Sequence, residues 1–204
     1  MSIANYDELK TAVSNWLNRG DLTSYIPDFI TFGEADINRR LRILPMEKRV
    51  QSDTASGDVY VALPSDFAEA VRITLIGSPN SELDYKDPTA LNRLYKSNTT
   101  GPPTIYTIEG TELRLAPATD SIYTLEIRYF AKFAALSDSN TTNWLTANAP
   151  DLLLYSALYS AEPFLKNDSR VLIWRGLSDK IFSDLETEDR NARYSGSPLT
   201  MQVM

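Results

Sequence analysis

Residues 121–130 read Ser-Ile-Tyr-Thr-Leu-Glu-Ile-Arg-Tyr-Phe, with Tyr123, Leu125, Ile127 and Tyr129 at every second position. A period of two marks a strand with one buried face. The same alternation occurs in Asp58-Val59-Tyr60-Val61-Ala62-Leu63 and in Glu112-Leu113-Arg114-Leu115, and residues 71–76 are a run rich in β-branched side chains. Glu109-Gly110-Thr111 has the composition of a tight turn and predicts a hairpin between strands at 105–108 and 113–115. A short helix over about 88–95 and a Gly-Pro loop at 99–103 interrupt the strands. Residues 46–133 therefore predict a small antiparallel β-sheet lobe.

On both sides the period changes to that of a helix. Asn5 is a good N-cap for a helix over about 6–18, Glu8 follows as in a capping box, and Leu9, Val13, Trp16 and Leu17 make its apolar stripe. Gly20 is the expected C-cap. A second helix starts at Pro27, runs through Ile30, Gly33, Ile37, Leu41 and Leu44, and is stopped by Pro45. Downstream, Pro150-Asp151 opens a helix bearing Leu152, Leu153, Tyr155 and Leu158, which Pro163 ends or kinks. A last helix over about 169–192 carries Leu172, Trp174, Leu177, Ile181 and Leu185 on its apolar side. The predicted class is α+β. A four-helix-type bundle (1–45 and 134–193) holds the inserted sheet lobe (46–133) and is followed by an extended C-terminal tail (194–204). Trp16, Trp144 and Trp174, each beside apolar neighbours, are expected in the bundle core.

Composition limits the chemistry. The chain has 204 residues, 43% of them hydrophobic and 23% charged, with no Cys, no His and a net charge of -7. Disulfides, a thiolate nucleophile and Ser-His-Asp catalysis are excluded, and zinc ligation with them. No phosphate-cradling glycine motif occurs, so neither a metal nor a cofactor is expected. No apolar run approaches the length of a membrane span. The start, Met1 to Lys10, lacks the basic and apolar regions of a signal peptide, which predicts assembly in the host cytoplasm. An acidic chain is a poor candidate for reading nucleic acid, although a wall past which DNA slides should not grip phosphates.

Four groups of residues are candidates for function. Glu109 with Glu112, and Glu34 with Asp36, are carboxylate pairs of the kind a peptidoglycan hydrolase would use, and they read more simply as solvated surface acids. Residues 128–133 come nearest to a nucleic-acid stacking strand, but the sheet alternation already accounts for Tyr129. Arg39, Arg40, Arg42, Lys48 and Arg49 form the most basic stretch, while Asp179, Asp184, Glu186, Glu188 and Asp189 make the last helix acidic. The cations either complement a helix C-terminus or pair with the acidic helix of a neighbouring subunit. Finally, Tyr194, Pro198, Leu199, Met201, Val203 and Met204 lie in a terminal stretch with no helical period. It is either a frayed end or a peptide that orders on a partner.

Four stretches resemble a family of tailed-phage head-to-tail adaptor proteins: residues 6–43, 63–75 (LPSDFAEAVRITL), 101–117 (GPPTIYTIEGTELRLAP) and 143–168, the last with a Trp and then a Pro-acid pair opening a Leu-rich helix. The order and spacing of these stretches carry the resemblance, which spans nearly the whole chain. It implies a structural protein with no catalytic residue to transfer. It implies a ring, commonly dodecameric, that docks under the portal protein, joins it to a tail tube or to a tail hub or nozzle, and continues the DNA channel in the virion. It also implies that the segment from Tyr194 to Met204 reaches the portal.

Overall fold

The computed structural model describes residues 3–95, 99–165 and 169–194. In chain order these form α1 (Tyr6–Leu17), α2 (Ile26–Arg40), β1 (Glu47–Asp53), β2 (Tyr60–Ala62), β3 (Phe67–Ile76), β4 (Ser81–Glu82) and β5 (Asp84–Tyr85). There follow α3 (Pro88–Leu94), β6 (Ile105–Glu109), β7 (Glu112–Ala116), β8 (Thr124–Ala131), α4 (Trp144–Asn148), α5 (Pro150–Ser160), α6 (Glu162–Leu165) and α7 (Arg170–Tyr194). The chain divides into two compact units: a helical unit of Met1–Pro45 with Phe133–Met204, and a sheet unit of Met46–Lys132.

The α+β class stands, but the expected four-helix-type bundle with one small antiparallel sheet does not. Among the described residues there are seven α-helices and two four-stranded sheets. The helical part departs from a four-helix bundle because of α5. Its sequence, Pro-Asp-Leu-Leu-Leu-Tyr-Ser-Ala-Leu-Tyr-Ser, buries Leu152, Leu153, Leu154, Ser156, Ala157 and Leu158, so it has apolar residues nearly all round. Such a helix has to be surrounded rather than stand as one of four equal staves. Helices α1, α2, α4, α6 and α7 all pack on it. Helix α2 approaches it closely at Gly33, where an added Cβ would lie 3.0 Å from the Ala157 amide nitrogen.

Several helix ends differ from expectation. The side chain of Asn5 accepts from the Glu8 N–H at 2.9 Å, and the Glu8 carboxylate accepts from the Ala4 N–H at 2.8 Å. Asn18, not Gly20, takes the left-handed cap conformation with φ 52°; its short polar side chain tolerates that region. Helix α2 ends at Arg40, where Leu41 turns extended, so Pro45 is not its stop. Tyr194, expected at the start of the extended tail, is the last described residue of α7, and residues 195–204 lie outside the described residues. Trp174 is buried as expected, but Trp16 is 44% exposed, its ring edge-on to Tyr155, and Trp144 is half-buried and stacked on Phe133.

In the sheet unit the strand orders are β1-β8-β3-β4 and β2-β7-β6-β5. All pairs are antiparallel except β5 with β6. A single sheet would leave the Leu125, Ile127 and Tyr129 face of β8 in water. The second sheet covers it: Val61, Tyr106, Leu113 and Leu115 join those residues in one apolar core. The β6–β7 hairpin turns through Gly110 at φ 65°, a left-handed position that glycine adopts readily.

Residues 133–143 connect the last strand to α4 without regular structure, and α2 holds them from inside the helical unit. Asn38 Oδ1 accepts from the Phe133 N–H at 2.8 Å, and Glu34 accepts from the Leu136 N–H at 3.0 Å. Asn143 caps α4 in a reciprocal capping box with Thr146, and its amide donates to the Ala134 carbonyl at 2.9 Å. Asn143→Ala is therefore expected to lower the stability of the helical unit by about 1–2 kcal/mol. Denaturant unfolding followed by tryptophan fluorescence reads this directly, since all three Trp residues (16, 144 and 174) lie in that unit.

Candidate assembly surfaces

The charged residues singled out in the sequence fall into different settings. Arg40 is bound within its own chain: its guanidinium lies 2.7 Å from Asp179 and 3.4 Å from Asp36, and over the Phe182 ring at 3.9 Å. Arg42 donates to the backbone carbonyls of Asn38 and Leu41 at 2.9 and 2.6 Å, which ties it to the open end of α2. Arg39 stays exposed, with Asp36 at 3.6 Å. Asp184, Glu186 and Glu188 are exposed along the last turns of α7. Asp189, beside them, turns inward to accept from the Leu44 N–H at 2.6 Å and from Arg193 at 2.7 Å. The remaining cations of the basic stretch belong to the sheet unit, where Lys48 pairs with Asp66 at 2.7 Å and Arg49 with Glu126 at 3.4 Å.

Of the carboxylate pairs, Glu109 and Glu112 stand opposite each other in the β6–β7 register. Glu109 is bridged by Arg114 at 3.0 Å, and Glu112 is exposed. Glu34 and Asp36, two residues apart on a helix, face different sides. Asp36 joins the Arg40 network, whereas Glu34 is only 5% exposed and accepts from the Leu136 N–H and from the Asn143 side chain. Burial pushes its pKa up to about 7, against the pull of those two donors. Glu34 is therefore not the solvated surface acid its residue type suggests. Ile30, Ile37 and Leu41 share its face at helical spacing, and that pattern is the sequence signal that places it inside. Among the described residues no cluster of acidic side chains is arranged to hold a metal ion, and no helix is long and apolar enough to cross a membrane.

The family model described as SU10 adaptor protein matches residues 4–202. The chain belongs to this family. SU10 adaptors are a phage head–tail adaptor family, which gives the chain a structural role in the virion and partners among portal and tail components generally. No curated protein matches the chain.

An SU10 adaptor needs surfaces for other proteins, and several apolar side chains stand open to solvent. In the helical unit these include Phe32, Leu44, Leu172, Ile173 and Tyr194. In the sheet unit they include Tyr60, Tyr85, Leu94 and Ile122. A hollow of about 230 Å³, mostly apolar, lies between the second half of α7 and the turn after α2, lined by Leu44, Pro45, Trp144, Leu185, Glu188 and Ala192 among others. Of the C-terminal candidates, Tyr194 is exposed at the end of α7; Pro198, Leu199, Met201, Val203 and Met204 lie outside the described residues.

Proposed function

We propose that this chain is the subunit of an adaptor ring, dodecameric in the connector, that docks beneath the phage portal and joins it to the tail tube or tail hub. In this reading the ring continues the DNA channel without sequence-specific contact to DNA. The family match over residues 4–202 is the observation that carries it. The net charge of -7 supports the channel, because acidic walls do not hold phosphates. Residues 194–204 supply the portal contact, with Leu199, Met201, Val203 and Met204 as its apolar anchors. Between subunits, Arg39 and Arg42 face Asp184, Glu186 and Glu188 of the neighbour, while Arg40 remains engaged with Asp179.

Electron microscopy of the purified chain mixed with portal-bearing heads tests the proposal. The expected result is a closed ring at the portal vertex, from a chain that is monomeric or weakly associated alone. A stable closed dimer that ignores the portal would overturn it. Reversing Arg39 and Arg42 to Glu is expected to reduce ring occupancy at least tenfold at low salt, and unchanged occupancy removes the charge pairing from the model.

A further inference from the structure

Helix α7 buries Val171, Trp174, Ser178 and Phe182 and turns its opposite face outward. At its start that outer face is apolar: Leu172 is 77% and Ile173 62% exposed. One turn on stands Gly176, around which an added Cβ would meet nothing within 4 Å. Glycine in a helix interior is less favourable than alanine, and no close neighbour within the chain requires it here. Two exposed branched side chains beside an unneeded glycine make a surface shaped for close approach by another backbone. At the other end of the same helix lies the apolar hollow of about 230 Å³ beneath Leu44 and Leu185.

We propose that Leu172, Ile173 and Gly176 of one copy dock into the hollow formed by Leu44, Pro45, Trp144 and Leu185 of a second copy. Charge favours this occupant. Arg170 and Arg175 stand on either side of the apolar patch in the chain, whereas Glu188 and Asp189 line the hollow. A chain cannot fill its own hollow, because Ile173 and Glu188 are about 22 Å apart along one continuous helix. Patch and hollow are different surfaces, so the contact is head-to-tail and adds subunits until the rotation closes a ring. This interface rests on the ring assembly proposed above and names the surfaces that build it.

Two double variants and their mixture decide the matter. Leu172→Glu with Ile173→Glu removes the patch, and Leu44→Glu with Ala192→Glu removes the hollow; all four positions are exposed, so each variant should keep the thermal midpoint of the wild type. In sedimentation and in binding to portal-bearing heads, each variant alone is expected to lose self-association at least tenfold. Mixed together they should form a one-to-one dimer that grows no further, because only one intact contact remains. Gly176→Ala should raise the thermal midpoint by about 2–4 °C yet weaken association. In sedimentation at high concentration, without heads, a chain ending at Tyr194 should still self-associate through α7; loss of self-association there would overturn the proposal in favour of residues 195–204 as the occupant. Variants that populate the portal vertex as well as the wild type overturn this interface and leave the ring standing. A wild-type chain that never joins portal-bearing heads overturns both.

Discussion

Gly33→Leu is expected to lower the stability of the helical unit by about 3 kcal/mol. At Gly33 an added Cβ already stands 3.0 Å from the Ala157 amide nitrogen and from the Ser156 carbonyl carbon, and 3.2 Å from Ser156 Cβ. Two of these are backbone atoms of the central helix and the third is a Cβ fixed to that backbone, so none can rotate away as a side-chain tip would. The further atoms of leucine have to push α2 off α5, which opens contacts around Phe29, Ile30 and Ile37. Gly33→Ala should be much milder. It needs a shift of a few tenths of an ångström and gains about 1 kcal/mol of helix propensity. Urea unfolding read by tryptophan fluorescence measures both variants. A leucine variant within about 0.5 kcal/mol of the wild type would mean that the two helices do not meet at Gly33.

Glu34 predicts a pH profile of comparable size. Its carboxyl has a pKa of 4.5 when exposed and about 7 in the fold, where burial disfavours the charge. The folded chain therefore binds more protons than the unfolded chain between these values, so stability falls as pH rises. The loss begins near pH 4.5, is complete above about pH 7, and amounts to about 3 kcal/mol at ~1.36 kcal/mol for each pH unit. Asp21, Asp66 and Asp87, whose pKa values are lowered, act on the acid side of this window: their contributions disappear as pH falls below 3.8. Glu34→Gln should flatten the profile between pH 4.5 and 7 while still accepting the Leu136 N–H. A profile for Glu34→Gln that parallels the wild type would assign the effect to another group.

The candidate surfaces were partly legible in the sequence. The acidic end of α7 reads directly from Asp184, Glu186 and Glu188, and these residues are exposed. The basic stretch reads as one patch but is not one. Arg40 reaches Asp179, a residue 139 positions away, and Arg42 turns back onto the carbonyls of its own helix. The first partner cannot be found by local spacing, whereas the second is the helix-end complement that a cation in the last turn offers. The exposed apolar pair is concealed for a related reason. In the sequence Leu172 belongs to the apolar stripe of its helix, but the line that is buried runs through Val171, Trp174, Ser178 and Phe182.

By itself the sequence determined the α+β class, the family, and the positions of most strands and helices, because side-chain period, caps and turn residues act over a few neighbours. Asn5 capped its helix and Gly110 turned its hairpin as residue chemistry alone requires. The tertiary structure decided how these pieces were counted and covered. It made α5 a surrounded helix rather than one stave of a four-helix bundle, divided the strands between two sheets that share a core, and enclosed Glu34 behind residues 133–143. Each of these outcomes depends on which distant surface shields a given face from water, and that shielding arises only when the whole chain is packed.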